Sequence, residues 1–455
     1  MARASSIIPE TSYFLSKQHT MSHYTHIING KPASSSSTLD VQNPATQKKI
    51  AEVPVATKDQ LDEAVAAARA ALPAWSAKSQ DERAQVLEQI AGIIQKNISE
   101  YKYILVLEQG KTLNDAEMEI GAAVVMLLET AKLRVPEKVI IDNEQVRITE
   151  RRVPIGVCAG IAPCGQYLRP QTLSFYSSHH SQAHEGYPKV VPPGVINVLS
   201  GDDNLGPWIT AHPGIDKVSF TGSSDTGKRV MASASIGLKR LTLELGGNDP
   251  AIILPDVDVA KIVPEIFWAA LINNGQTCVA DCQDRRWHRP ESQLGPVQNL
   301  MQYKKVLSFF EDAKANGYKF VTGGDVNPNP TDGLFIPASF VITLRGLEDC
   351  ARGAIRTHRT LLKWSDEADV IKRANDTNMG LAASVWGKDL AAVQRIAKQI
   401  EAGVVCMNER NPVTPFSVLL RGHKESGIGV ENGLSGLLSY SNIQTLTLKK
   451  QPAFV

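Results

Sequence analysis

Apolar residues recur at every third or fourth position in three early stretches of the chain, Lys58–Ala71, Gln80–Asn97 and Leu113–Ala131. This spacing collects the apolar side chains on one face of a helix, so we predict an amphipathic helix in each stretch. The segment Val139–Val157 follows a different pattern, in which apolar and polar residues alternate. Alternation is typical of half-buried strands, and we predict a hairpin arm here.

A strand, a glycine-containing turn and a helix are predicted near the middle of the chain. A short strand at Val195–Val198 precedes a second strand at Lys217–Phe220, which leads into Gly222, Ser223 and Gly227. Backbone N–H groups at a helix N-terminus can hold a pyrophosphate, and these elements form half of a dinucleotide-binding unit. The spacing is not G-x-G-x-x-G, and many such turns bind nothing, so the pattern leaves both interpretations open.

Length and charge narrow the class of protein. The 455 residues exceed what one hydrophobic core usually supports, so we expect at least two domains. The formal net charge is +1 and hydrophobic residues make up 43% of the chain. Neither value favours binding to nucleic acid or to a membrane, and we expect neither partner.

The cysteines and the N-terminal residues indicate the cellular compartment of the protein. Six cysteines are scattered without a metal-type C-x-x-C pair, which favours reduced thiols and a cytoplasmic protein. Residues 1–20 lack an apolar core of the length that a signal peptide needs, and we expect a disordered extension there. Met21 resembles a natural start. An organellar transit peptide is the alternative.

Two residues are candidates for covalent catalysis. Cys278 follows the polar, flexible run Asn273–Thr277, and Glu244 precedes two glycines. A thiolate nucleophile and a carboxylate that activates water are what a two-step acyl transfer needs. Each residue also has an ordinary interpretation: Cys278 as a small buried apolar residue, and Glu244 as an exposed carboxylate on a strand.

Several motifs together carry a resemblance to a known family. Phe220–Ser223 with Gly227, then Glu244–Gly247, then Gly275–Cys278, resemble in order and spacing the NAD(P)-dependent aldehyde dehydrogenase superfamily. The resemblance runs from about residue 26 to residue 449 and includes Asn43–Thr46, Pro193–Val198, Ala374–Thr377, Gly380–Trp386 and Lys424–Gly429.

The resemblance implies an α/β fold with two doubly wound parallel-sheet domains and a small β arm for oligomerisation. Residues 21–138 and 153–244 would form the dinucleotide-binding domain, and residues 245–434 the catalytic domain. Residues 139–152 and 435–455 would form the arm. A homodimer or homotetramer is implied.

The resemblance also implies roles for the candidate residues. Cys278 would attack a small-molecule aldehyde to give a thiohemiacetal, which loses hydride to NAD or NADP. Glu244 would activate the water that hydrolyses the resulting thioester. Gly222, Ser223 and Gly227 would line the pyrophosphate turn, with Thr221 near the nicotinamide. No metal is implied.

Three windows depart from the family pattern: residues 164–188, 281–290 and 345–360. In the first, Cys164–Gln166 stands where the family has Trp-Asn-Phe/Tyr-Pro, and the Lys-Pro-Ser motif whose lysine contacts the adenosine ribose is missing. Loss of that asparagine, an oxyanion donor, typically costs roughly 3 to 4 kcal/mol of transition-state stabilisation. In the third, Arg352–Thr357 replaces Glu-Glu-x-Phe-Gly-Pro, whose glutamate holds the nicotinamide ribose. The second window, around Asp281–Arg289, is shortened.

A shift of reading frame accounts for two of these windows. Read one nucleotide later with free codon choice, Glu348–Thr360 can encode Arg-Ile-Val-Leu-Glu-Glu-Gln-Phe-Gly-Pro-Ile-Val-Pro. Cys164–Ser177 can likewise encode Ala-Gly-Asn-Thr-Cys-Val-Leu-Lys-Pro-Ser-Pro-Phe-Thr-Pro. Both readings restore family motifs, so we infer that these windows are translated out of frame relative to the ancestral gene.

The shifted frame affects two further interpretations. His179, His180 and His184 are then by-products of shifted codons, and we expect no metal site there. Two function classes stay open: an active NAD(P)-dependent aldehyde dehydrogenase, and a degenerate homologue with weak or no activity.

Overall fold

The computed structural model describes residues 24–162, 190–271, 295–328, 330, 333–337, 339–342, 358–409 and 421–451. The helices are α1 (Lys58–Ala77), α2 (Gln80–Lys96), α3 (Ile98–Gln109), α4 (Leu113–Lys132), α5 (Leu205–Ala211), α6 (Ser224–Ser235), α7 (Val259–Leu271), α8 (Leu300–Ala315), α9 (Glu367–Asn375), α10 (Leu390–Ala397) and α11 (Gly433–Leu438). The first strands are β1 (His26–Ile28), β2 (Lys31–Ala33), β3 (Thr38–Gln42), β4 (Lys49–Pro54), β5 (Lys138–Asp142), β6 (Val146–Pro154), β7 (Cys158–Ile161), β8 (Lys217–Thr221), β9 (Arg240–Glu244) and β10 (Ala251–Ile253). The remaining strands are β11 (Lys319–Thr322), β12 (Ser339–Ile342), β13 (His358–Leu361), β14 (Met379–Gly380), β15 (Ala382–Trp386), β16 (Val404–Met407), β17 (His423–Lys424), β18 (Gly427–Ile428) and β19 (Ser441–Lys449).

The three helices predicted from the apolar spacing are confirmed as α1, α2 and α4. Reciprocal side-chain bonds define where the first two begin. Thr57 accepts a bond from the backbone of Gln60, whose side chain accepts one from the backbone of Thr57, and Ser79 and Glu82 repeat the arrangement at α2. Such a capping box satisfies two N–H groups that a helix start otherwise leaves unpaired.

One sheet carries the turn singled out in the sequence. Strands β7, β8 and β9 run parallel, and β18 pairs antiparallel with β9, in the order β18–β9–β8–β7. Val218, Phe220 and Leu243 point to one face and pack in a core with residues of α1, α5 and α6. The opposite face presents residues from the alternate positions, which are polar and buried: Cys158, Lys217, Ser219, Thr221, Thr242 and Glu244.

A second parallel sheet joins β10, β15 and β16. Ile252 and Val385 pack there against Val370 of α9 and against Val393 and Ile396 of α10. A third sheet joins β11, β12 and β13, beside which Phe310 of α8 stacks on Phe320. Two parallel sheets with packed helices are the pattern expected of an α/β protein.

The predicted hairpin is confirmed as β5 and β6. Strand β19 pairs antiparallel with the whole length of β6, from Ser441 opposite Pro154 to Lys449 opposite Val146. The result is a three-stranded antiparallel sheet built from two distant parts of the chain.

One predicted strand is wrong. Val195–Val198 forms no strand, and only Val198 makes an isolated antiparallel bridge, to Ile27. Gly194 has a φ of +80°, and the side chain of Asn197 donates to the Gly194 carbonyl and accepts from the backbone of Asn29. The turn and these side-chain hydrogen bonds hold the segment in a loop, without the backbone pairing that a strand requires. Residues 1–20, expected to be disordered, lie outside the described residues.

Candidate active site

Glu244 lies at the carboxyl end of β9, beside the glycine turn. In the parallel register Thr221 is opposite Glu244, and the Gly222 N–H donates to the Glu244 carbonyl at 3.0 Å. Glu244 is only 8% exposed, so the interpretation of an exposed strand carboxylate is wrong. In open α/β sheets ligands bind outside the carboxyl ends of the strands, which is where Thr221, Gly222 and Glu244 meet.

The turn between β8 and α6 has the shape of a helix N-terminus open to a ligand. Ser223 is the N-cap residue, and its Oγ accepts from the Thr226 N–H at 3.2 Å. Ser223 is exposed and Gly222 is half-buried. A Cβ at Gly222 would lie 2.4 Å from the Phe220 ring, so a larger residue would force that ring to shift.

Gly227 has a different structural reason. It lies one turn inside α6 and is buried, and a Cβ there would lie 2.5 Å from Cδ2 of Leu245. The glycine therefore lets α6 pack closely on the chain that follows Glu244, as the third glycine of a dinucleotide-binding turn does. Contact of Gly227 with a pyrophosphate stays a prediction.

The segment Glu425–Ile428 clamps Glu244 from its other side. Gly427 pairs with Glu244 in the β18–β9 register, and the Leu245 N–H donates to the Ser426 carbonyl at 2.9 Å. Ser426 is fully buried, and its Oγ accepts from the Gly380 N–H at 2.8 Å. Ser426 thus links the residue that follows Glu244 to β14, which pairs with β17.

The same segment is tied to the helix after the glycine turn. Ser224 Oγ donates to the Glu425 carbonyl at 3.0 Å, and Lys228 Nζ lies 2.9 Å from Glu425 Oε2. No role at the site is predicted for Ser426 or Glu425 from the sequence. The available signal was the pair of glycines in Lys424–Gly429, which allow a close strand approach to Glu244.

A buried acid lies over the middle of the polar sheet face. Ser219 Oγ donates to Glu431 Oε1 at 3.2 Å, and Glu431 is 6% exposed. Farther down this face, burial raises the pKa of the Cys158 thiol to about 12, which keeps it protonated near neutral pH. Cys158 is therefore a poor nucleophile, because the thiolate is the reactive form of cysteine.

Other sequence predictions fall outside the described residues. These include the candidate nucleophile Cys278 and the histidines His179, His180 and His184. Of the three divergent windows, residues 358–360 alone are described, as part of β13. Across the residues that the structure does describe, no group of three or more His, Cys, Asp or Glu side chains could hold a metal ion. Within those same residues no helix has the length and hydropathy to cross a bilayer.

Comparison with known proteins identifies the family. A model of the aldehyde dehydrogenase family matches residues 31–164, 188–285 and 282–446. The unmatched residues 165–187 fall inside the first divergent window. Most residues that the structure describes lie inside the matched ranges.

Individual proteins agree with the family model. The aldehyde dehydrogenase LUC3 of a Fusarium species is 34% identical, with 94% of this chain and 99% of that protein covered. The human 4-trimethylaminobutyraldehyde dehydrogenase is 30% identical, with 92% and 94% covered. A Staphylococcus aureus betaine aldehyde dehydrogenase variant, solved in complex with NAD⁺, is 25% identical with a TM-score of 0.88 over 94% of this chain and 98% of that one. The chain therefore belongs to the aldehyde dehydrogenase family of oxidoreductases and has its α/β fold.

Proposed function

We propose that the protein oxidises an aldehyde to a carboxylic acid with NAD or NADP, through a thiohemiacetal and a thioester on Cys278. The observation that carries this proposal is the position of Glu244. Glu244 is a buried carboxylate at the carboxyl ends of parallel strands. Its backbone carbonyl accepts a hydrogen bond from the glycine turn at a helix N-terminus, so a candidate base lies beside a candidate cofactor turn.

The turn fits the pyrophosphate of the cofactor. Helix α6 has 12 residues and begins directly after the turn, where Gly222 carries no side chain. The positive end of the helix dipole favours an anion at that position. Thr221, Gly222 and Ser223 would therefore hold the cofactor, which when bound accepts the hydride that the substrate carbon loses. A relative solved with bound NAD⁺ supports NAD as the cofactor.

The chain's own residues account for the covalent steps. The Cys278 thiolate attacks the aldehyde carbon, and loss of hydride from that carbon leaves a thioester. Glu244 takes a proton from water, the resulting hydroxide adds to the thioester carbonyl, and collapse releases the acid and restores the thiolate. The clamp formed by Ser426 and Gly427 holds the backbone that carries Glu244.

A degenerate homologue is the second candidate, and one observation favours it. The family match is interrupted at residues 165–187, where the sequence lacks the expected oxyanion donor and the lysine for the adenosine ribose. A chain without these groups would retain Glu244 and Cys278 and still turn over slowly or not at all.

Turnover separates the two candidates. The purified protein is incubated with NAD and a short aldehyde, and NADH is followed by absorbance. An active enzyme forms NADH, loses it in Cys278→Ala, and in Glu244→Gln stalls once the thioester has formed. Absence of NADH together with absence of cofactor-dependent thermal stabilisation supports the degenerate homologue. Equal activity of Cys278→Ala and the unmodified chain contradicts the cysteine assignment.

We also propose a cytoplasmic homo-oligomer. Among the described cysteines, Cys158 and Cys406 are free, in keeping with a reducing compartment. The three-stranded arm exposes large apolar side chains on β5 and β19, including Val139, Ile140 and Leu448. Apolar surface of this kind is typical of protein interfaces.

A further inference from the structure

A buried lysine lies at the opposite end of the polar face that carries Glu244. Lys217 begins β8, is 1% exposed, and donates from Nζ to Thr242 Oγ1 of β9 at 2.6 Å. The same Nζ lies 4.5 Å from the centre of the Tyr440 ring, between α11 and β19. Burial lowers the pKa of Lys217, and the charge of Glu431 opposes the change.

A buried cation is costly unless its surroundings compensate it. At Lys217 the hydroxyl of Thr242 and the face of Tyr440 provide that compensation, and they come from different parts of the chain. An apolar side chain of similar length would fill the same space with no desolvation cost. The contacts of the ammonium group therefore do more than fill the sheet face: they join β8, β9 and the start of the arm.

The segment Gly427–Tyr440 is held against this sheet at three points. Gly427 pairs with Glu244, Glu431 accepts from Ser219, and Tyr440 covers Lys217. The Tyr440 carbonyl also accepts from the Ile155 N–H at 3.1 Å, just after β6. Because the first of these points is the strand pairing of Glu244, displacement at the other two would loosen the backbone that positions the base.

We propose that Lys217 is a positioning residue for the reaction: by holding Tyr440 over the buried polar face, it fixes Gly427–Tyr440 and, through β18, the position of Glu244. This inference rests on the proposed role of Glu244. It assigns a function to a residue that touches neither the glycine turn nor, in the described contacts, Glu244 itself.

Two pairs of variants test the proposal. Lys217→Met removes the charge but keeps the length, and Tyr440→Leu removes the ring, whereas Tyr440→Phe keeps it. Lys239→Met is the control, because it also removes a lysine ammonium group, but one that donates to the carbonyls of His212 and Ile215 and not to Thr242 or the Tyr440 ring. Each protein is examined by hydrogen–deuterium exchange, thermal unfolding and steady-state kinetics.

We expect Lys217→Met and Tyr440→Leu to remain folded and to exchange faster in peptides covering 427–449 and at the Leu245 amide, which bonds to Ser426. Their kcat should fall roughly 10- to 100-fold, the range that a misplaced catalytic group can produce. The KM for NAD should change little, because the glycine turn is untouched. Tyr440→Phe, which keeps the ring, should exchange more slowly and keep a higher kcat than Tyr440→Leu, and Lys239→Met should match the unmodified protein in exchange and kcat.

Unchanged exchange at Leu245 in Lys217→Met overturns the proposal, whatever the activity. Faster exchange with full kcat also overturns it, because Lys217 then only docks the arm. If the unmodified protein makes no NADH, the proposed oxidation fails, while exchange at Leu245 still decides whether Lys217 positions the Glu244 strand.

Discussion

His26 shows how burial alone sets the protonation of a single residue. It is 1% exposed, its Nε2 lies 2.9 Å from Ser35 Oγ, and its Nδ1 accepts from the Ser200 N–H at 3.3 Å. Burial lowers the pKa of His26 to about 4. The folded imidazole therefore stays neutral at pH values where the imidazole of the unfolded chain is protonated.

We expect this difference to make the free energy of unfolding fall as the pH drops from about 6.5, the pKa in the unfolded chain, towards 4. The full effect is on the order of 3 kcal/mol. Urea unfolding of the protein and of His26→Gln at several pH values between 5 and 7 measures it. The variant should show a flatter dependence on pH, and equal slopes would count against a neutral buried imidazole.

Gly227 and Gly92 make a matched pair of helical glycines. A Cβ at Gly227 would overlap Leu245, whereas nothing lies within 4 Å of a Cβ at Gly92, an exposed position in α2. We expect Gly227→Ala to lower the free energy of unfolding by about 1 to 3 kcal/mol through overpacking. Gly92→Ala should raise it by up to about 1 kcal/mol, because alanine favours the helix. Denaturant titration checks both, and a stabilised Gly227→Ala would contradict the packing role.

The sequence sufficed to nominate Glu244 because its two following glycines and its motif context are local. It did not nominate Ser426 or Lys217 as functional residues. Their contacts depend on the pairing of β18 with β9 and on the placing of Tyr440, which join residues far apart in the chain. The glycines of Lys424–Gly429 permit a close strand approach, but no local pattern identifies which strand is approached.

At the scale of elements, the three-stranded arm exposes large apolar side chains to solvent. Leu446 and Leu448 lie on one face of β19 and are 41% and 59% exposed. We expect Leu446→Lys with Leu448→Lys to reduce an oligomer to smaller species in light scattering after gel filtration, while Thr447→Lys on the opposite face leaves the mass unchanged. A monomeric unmodified protein would contradict an interface on the arm.

Elements with a long, regular pattern were predictable and those set by a turn were not. Helices α1, α2 and α4 and the β5–β6 hairpin follow directly from periods of apolar residues. Val195–Val198 has the composition of a strand, but Gly194 and the bonds of Asn197 hold it in a loop. Side-chain bonds of that kind compete with a strand ladder and leave no trace in hydropathy.

At the scale of the whole molecule, the divergent windows raise the question of whether this chain retains the activity of its family. The interruption of the family match at residues 165–187 agrees with a first window that is foreign to the family. We predict that the coding DNA, read one nucleotide later over Cys164–Ser177 and Glu348–Thr360, contains the two restored motifs. Sequencing the gene and its transcript tests this, and codons that do not permit those readings would remove the frame hypothesis.

The same windows determine what the intact molecule can do. The residues expected to contact the two ribose groups are absent from them, whereas the glycine turn, Glu244 and its clamp are in place. The altered segments therefore affect cofactor affinity, through the ribose contacts, and the covalent steps, through the oxyanion donor that the first window lacks.

The most direct test of the central claim is the mass of the enzyme during turnover. Glu244→Gln is mixed with NAD and a short aldehyde, quenched in acid, and analysed by intact mass and peptide mapping. We predict an added acyl group on Cys278 that accumulates in Glu244→Gln and not in Cys278→Ala. The absence of any acyl adduct on Cys278, in a sample that still forms NADH, would contradict the proposed pair of nucleophile and base.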